Sequence, residues 1–296
     1  MINLQNLTTE KRNEKTMNLD ELSIDDAMKI MNEEDQKVAL AVKEVLPQIK
    51  PIIEETIKSF NKNGRLFYIG AGTSGRLGIL DASECVPTFG VSPEMVQGII
   101  AGGKKAMTMA VEGAEDSLDL GKEDLQKANL TSNDIVVGIA ASGRTPYVIG
   151  ALEYANKIGA TTATISCNKN SEISKYSTYS VEVDAGAEFL TGSTRLKSGT
   201  TQKLILNMIS TISMIGIGKV YKNLMVDVQP TNGKLIERSK RIIMEATDCD
   251  YDTAKDYLEK GGDVKTAIVM ILTKTSKEEA KENLSRSKGF VKDAIR

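Results

Sequence analysis

The chain has 296 residues, 41% of them hydrophobic, which suffices for a sizeable core and for about two domains. Its 38 Lys and Arg nearly balance 40 Asp and Glu, so no broad basic field exists to draw in a nucleic acid or an anionic membrane. Three cysteines without paired spacing argue against a disulfide framework or a thiolate zinc site, and the absence of histidine leaves proton transfer to Glu, Asp, Lys, Tyr or Cys. Residues 1–32 are polar with scattered apolar positions (Leu19, Leu22, Ile24, Met28, Ile30) and read as an arm with a short helix. They hold no apolar stretch of signal-peptide length, and no run of about 18 apolar residues follows, so the expectation is a soluble, cytoplasmic protein with no membrane partner. From Glu33 to Phe60, Val38, Val42, Val45, Ile49, Ile53, Ile57 and Phe60 recur at helical spacing, with Pro47 and Pro51 placed to bend or split the helix.

Five short β-branched or aromatic runs then alternate with helical stretches, at 66–69, 95–100, 134–139, 162–166 and 180–184. That alternation predicts an α/β fold with a five-stranded parallel sheet covered on both faces. A long helix from about Ser198 to Tyr221 is apolar around most of its circumference, which suits a core or a subunit interface. After Pro230 the pattern changes to short helices broken at Gly261 and Gly262. The expected divisions are an arm at 1–32, a main domain at 33–230 and a small helical bundle at 231–296.

Two loops carry the chemistry. Directly after the first strand comes Gly70-Ala71-Gly72-Thr73-Ser74-Gly75-Arg76, followed by a helix expected near Leu77. Glycines expose backbone N–H groups, hydroxyls add donors, and the following helix contributes its dipole, all of which favour a phosphate. No acidic residue ends the second strand to grip a ribose, which disfavours a dinucleotide. The third strand ends in a loop of the same design, Ala140 to Pro146, with Ser142, Gly143 and Thr145. Two such loops at the carboxyl ends of parallel strands share one crevice, although Ser142 and Thr145 also suit plain helix capping. Before the long helix, Ser193, Thr194, Arg195, Lys197 and Ser198 either complete the site or cap that helix, and Glu188 is placed to touch sugar hydroxyls.

These stretches resemble those of SIS-domain proteins, and the wider set resembles the N-acetylmuramic acid 6-phosphate etherases. The matching strings are LTTEKRN at 7–13, GAGTSGRLG at 70–78, DASEC at 81–85, EGAED at 112–116, GSTRLKSGT at 192–200 and GGDVKTAIVM at 261–270. The pattern departs at Val86 and Ala187, where the family often has proline. The resemblance implies a doubly wound, flavodoxin-like SIS domain with a UBA-like C-terminal domain. It implies a lyase of amino-sugar catabolism and peptidoglycan recycling, acting as a homodimer on a small sugar phosphate, with no cofactor and no metal. It carries the family's two functional carboxylates to Glu84 and Glu115, and the phosphate contacts fall on Gly72, Thr73, Ser74, Ser142, Gly143, Thr145, Ser193 and Lys197.

The residues themselves support both glutamates. Glu84 follows the first loop within partly apolar surroundings, which favour burial and a raised pKa, and Glu115 follows the second strand among acidic neighbours; the plain alternative for each is a solvated surface glutamate. The implied reaction removes the C2 hydrogen with one carboxylate and protonates the departing lactyl oxygen with the other; Glu84 is assigned as acid and Glu115 as base. Two alternatives share the design: a non-catalytic sugar-phosphate sensor like the glucokinase regulatory protein, and an aldose-ketose isomerase. The sensor has two SIS domains where this chain has room for one, and the isomerase releases no lactate.

Overall fold

A computed structural model describes residues 7–228 and 233–296. They sort into two units, one holding the chain up to Ser83 with Glu94–Ser210, the other holding Glu84–Pro93 with Thr211–Arg296. The boundary expected beside Pro230 lies outside the described residues, as do the first six positions of the arm.

Helix α1 runs Ile24–Glu44, starting nine positions before the expected Glu33. Its start is set by the Ser23 side chain, which accepts the Asp26 N–H, and by Asp25 and Asp26 in the positive first turn. The prolines split the segment: α1 ends at Val45, and α2, Leu46–Asn61, takes Pro47 in its first turn, where a missing N–H costs nothing. The apolar stripe Val38, Val42, Val45, Ile49, Ile53 and Phe60 is buried as its spacing requires.

The strands fall within two residues of expectation: β1 Leu66–Gly70, β2 Val96–Ile100, β3 Ile135–Ala140, β4 Thr161–Ser166 and β5 Tyr179–Glu182. All pair in parallel, in the order β2-β1-β3-β4-β5. Helix α3, Gly72–Phe89, joins β1 to β2; α4, Leu118–Lys127, joins β2 to β3; and α5, Pro146–Ile158, joins β3 to β4. Alternate residues of the central strands serve opposite faces, as the two-residue period demands. Phe67, Ile69 and Val136 pack with Leu125 of α4 and with Val148, Ala151 and Leu152 of α5. Tyr68, between Phe67 and Ile69, turns the other way, and its hydroxyl donates to the Leu206 carbonyl at 3.5 Å. Leu206 belongs to α6, Lys197–Gly216, which ends earlier than expected because the chain reaches the left-handed Gly218 (φ +78). Its outer face is not covered throughout: Ile212 and Ile215 are 44% and 45% exposed.

From β1 the chain steps outward to β2, then returns to lay β3 on β1's other side and continues to β4 and β5. The carboxyl ends of β1 and β3 are therefore adjacent while their helices leave in opposite directions, and this is where an open α/β sheet forms its crevice.

The arm is a series of short 3-10 turns at Thr8–Glu10, Glu14–Thr16 and Leu19–Glu21. It lies on its own chain. Thr8 Oγ1 donates to Asp184 Oδ2 at 3.0 Å, Asn13 Nδ2 donates to the Ala187 carbonyl at 3.3 Å, and Asn168 Nδ2 donates to Thr9 Oγ1 at 3.0 Å. An arm so engaged gives no reason of its own to invoke a second subunit.

In the second unit, α7 Gly233–Thr247, α8 Tyr251–Gly261, α9 Val264–Thr273, α10 Lys277–Arg286 and the single turn α11 Val291–Ala294 form the helical bundle. Asp250, Asp263 and Ser276 cap successive helices by accepting N–H bonds, and the others gather around α9, whose Ala267, Ile268 and Val269 are wholly buried. Among the described residues no helix is long and apolar enough to cross a membrane.

Candidate functional site

The first loop is tighter than its sequence suggests, because α3 begins at Gly72 rather than near Leu77. Gly72 takes a left-handed φ of +53, and the Gly75 N–H closes the first turn on the Ala71 carbonyl at 3.1 Å. The N–H groups of Gly72, Thr73 and Ser74 thus belong to the turn that has no helical acceptor before it, the arrangement that binds anions. Thr73 is half-buried; Ser74 is buried, and its hydroxyl donates to Gln202 Oε1 of α6 at 3.0 Å.

The second loop is held from beneath. Gly143 has φ +72, and a Cβ there would meet the Ser171 Cβ at 2.3 Å, so no other residue fits. Ser142, half-buried, accepts the Arg144 N–H on its Oγ at 3.3 Å. Thr145 precedes α5 but makes no side-chain cap; its hydroxyl donates instead to Glu115 Oε1 at 3.1 Å. The Glu115 carbonyl in turn accepts the Tyr147 N–H at 3.0 Å. Two bonds therefore fasten Glu115, one to the loop after β3 and one to the first turn of α5, although 30 residues separate Glu115 from Thr145.

An open cleft of about 280 Å³ runs beside the first loop, lined by Gly72, Arg76, Val111, Glu112, Glu115 and Asp116 among others. Arg76 shapes its wall: its guanidinium donates to the carbonyls of Met107 (2.9 Å) and Ala106 (2.7 Å), fixing the turn at Gly103–Met107. Exposed Glu115 thus lines the cleft that the first loop borders while hydrogen-bonded to Thr145 of the second.

Three expectations are revised. Glu84 is exposed, not buried: its neighbours Ala82 and Cys85 face the interior while Glu84 faces away. It also lies twelve residues beyond Gly72, about 18 Å along an α-helix, farther than a six-carbon sugar phosphate anchored at Gly72 extends. Lys197 is 1% exposed, and its ammonium donates to Glu34 Oε2 at 2.9 Å and to the Ala185 carbonyl at 3.0 Å, so its charge is spent inside the fold. Glu188 is fully buried and touches no open space; its carboxylate accepts the N–H groups of Lys197 (2.8 Å) and Ser198 (2.9 Å) and the Ser198 hydroxyl (2.7 Å), capping α6 from outside. Ser193 stays half-buried in the turn before α6, where its N–H donates to the Leu190 carbonyl at 3.0 Å.

Burial alone would raise the Glu34 carboxyl, but hydrogen bonds from Lys37 and Lys197 outweigh it and hold the pKa at about 2. The Cys167 thiol is pushed up to about 12 by its enclosure, which removes it as a nucleophile. Sequence reasoning missed Gln202, Glu34 and Arg76. Only Arg76 left a trace, as the last residue of the first loop; Gln202 does not stand out among the many polar residues of α6.

A parallel sheet with two hydroxyl-bearing glycine loops at its switch point is the SIS design. Residues 115–212 match the SIS domain family, and residues 48–156 match the glucokinase regulatory protein N-terminal SIS domain. A solved structure from Bacteroides fragilis, described as a candidate phosphosugar isomerase involved in capsule formation, is similar in fold with a TM-score of 0.51. It covers 70% of this chain and 98% of its own at 18% identity. Among curated proteins, N-acetylmuramic acid 6-phosphate etherase 2 of Enterococcus faecalis is 68% identical over 295 residues, 99% of this chain and 100% of its own length. An N-acetylmuramic acid 6-phosphate etherase of Bacillus cereus is 65% identical over 293 residues, with the same coverage. The chain belongs to the N-acetylmuramic acid 6-phosphate etherase family.

Proposed function

We propose that this chain cleaves the D-lactyl ether of N-acetylmuramic acid 6-phosphate, giving N-acetylglucosamine 6-phosphate and D-lactate in amino-sugar recycling. The observation that carries this reading is end-to-end identity of 65–68% with proteins named for that activity. The 6-phosphate lies on the first turn of α3 and the loop after β3, held by Gly72, Thr73, Ser74, Ser142 and Gly143, with Ser193 beside them. Thr145 serves through Glu115, keeping that carboxylate turned toward the crevice.

With the sugar ring open, the C1 aldehyde acidifies the C2 hydrogen. Glu115 removes that proton, the electron pair forms the C2–C3 double bond, and the C3–O bond breaks. The departing lactyl oxygen takes a proton from Glu84. Water then adds across the double bond, its hydroxyl to C3 and its proton to C2. Phosphate, remote from the bonds that change, supplies the binding energy that aligns them.

Glu84 cannot serve the phosphate site of its own α3 over about 18 Å of helix, so the reading includes a homodimer in which each subunit's Glu84 serves its partner. Support comes from the exposed face that positions 80, 84 and 87 share on α3, where Leu80 is 52% exposed. The catalytic region falls within residues 33–230, flanked by the arm at 1–32 and a UBA-like bundle at 231–296, and the setting is the cytoplasm. Incubation with N-acetylmuramic acid 6-phosphate should release D-lactate stoichiometrically with N-acetylglucosamine 6-phosphate; turnover of the sugar phosphate without lactate would identify an isomerase.

A further inference from the structure

Ser74 and Gln202 form a buried pair whose hydrogen bond runs the wrong way for a phosphate site. Ser74 is 6% exposed and Gln202 1%. The Ser74 hydroxyl gives its only proton to Gln202 Oε1 at 3.0 Å, and Gln202 Nε2, buried beside it, has no hydrogen-bond partner among the described residues. A buried amide donor without an acceptor is costly, and a serine whose proton points into the fold offers an anion only lone pairs. Both defects lie on one bond. Turning the amide half a revolution about its last bond puts Nε2–H onto Ser74 Oγ and frees the hydroxyl proton.

We propose that Gln202 is a positioning residue that reverses its hydrogen bond with Ser74 when the sugar phosphate binds. Without ligand, Gln202 accepts from Ser74. With phosphate present, Gln202 donates to Ser74 Oγ, and the Ser74 hydroxyl donates to a phosphate oxygen. The neutral bond between the two side chains is kept with its direction reversed and the charge-assisted bond to phosphate is added to it, which supplies the bias for the reversal. Glutamine is suited because its amide both donates and accepts; an ionised glutamate only accepts, and methionine, of similar size, does neither usefully. The inference rests on the reading of the first loop as the phosphate holder.

The test compares Gln202→Glu, Gln202→Met and Ser74→Ala by inhibition with the product N-acetylglucosamine 6-phosphate, each measured against the unaltered enzyme at the same pH. At pH 8, Gln202→Glu should bind product about 10- to 100-fold more weakly, the range for losing a hydrogen bond to a charged group, with KM raised and kcat nearly kept. At pH 5 its ratio to the unaltered enzyme should shrink several-fold, because the introduced carboxyl regains a donor once protonated, whereas Gln202→Met should show no such recovery. If Ser74→Ala weakens product binding while both Gln202 variants bind normally, the reversal is overturned and the phosphate loop stands. Gln202→Glu weakened equally at both pH values would mean a packing role only and would also overturn it. If Ser74→Ala binds product normally, the phosphate reading of the loop fails and the reversal with it. Should the Gln202 variants not fold, the amide of Gln202 in the unaltered enzyme is followed by nitrogen-15 NMR. A shift on adding product that Ser74→Ala abolishes supports the reversal, and an unmoved signal refutes it.

Discussion

Glu115 and Glu84 stand in unlike surroundings, and their variants should fail differently. Glu115 is steered by the Thr145 hydroxyl and reaches the cleft, as a base requires. Glu84 stands on an exposed helix face, as a group contributed to another subunit would. Glu84→Gln keeps shape but cannot give up a proton, so lactate release should fall by about 10² to 10⁴. It should still exchange the C2 hydrogen of N-acetylglucosamine 6-phosphate with solvent deuterium, a step that needs only the base. Glu115→Gln should lose that exchange as well. Mass spectrometry of product incubated in deuterated water distinguishes the two; equal loss of exchange in both variants would remove the division of labour. The intact enzyme working in oxygen-18 water should place the label at C3.

The start of α6 depends on charges drawn from distant parts of the chain. Lys197 is tied to Glu34 of α1, and Glu188 closes the first turn from outside. Glu34→Leu leaves the Lys197 ammonium buried with, among the described residues, only the Ala185 carbonyl, so denaturant unfolding should show a loss of about 3 to 5 kcal/mol. Lys197→Met should cost less, because Glu34 keeps Lys37 and, at 3.9 Å, Lys15. The Glu34 carboxyl has a folded pKa of about 2, below the ordinary 4.5. Being depressed, it contributes stability that is fully present above about pH 4.5 and is lost as pH falls toward 2, and Glu34→Gln should lack that dependence. These contacts also mark the limit of what sequence could tell. β1 and β3, buried on both faces, leave nearly unbroken apolar runs, while β2, β4 and β5 carry β-branched residues among polar ones, so the strands and the paired loops are legible in the sequence. A lysine before a helix looks the same whether it meets phosphate or an acid 163 positions away, and Lys197 was misplaced for that reason. Glu84 failed differently: apolar sequence neighbours say little about a helical residue, because adjacent positions point about 100° apart.

At the scale of the whole molecule, the proposed reading places the phosphate site and the base on one subunit and draws the acid from its partner. The mixture of two inactive variants tests that proposal. Glu84→Gln and Glu115→Gln dimers, allowed to exchange subunits, should recover up to about a quarter of normal activity, since half the dimers become hybrids with one intact site of two. No recovery despite demonstrated exchange would place both carboxylates in one subunit. A different consequence follows from Asn168. This buried side chain holds Thr9 of the arm with one hydrogen bond and the Ala141 carbonyl of the second loop with another at 3.0 Å. The segment around Thr9 therefore braces the loop after β3, so Thr9→Ala should loosen that loop and speed amide hydrogen exchange at Ser142 and Gly143; unchanged exchange there would count against a bracing role.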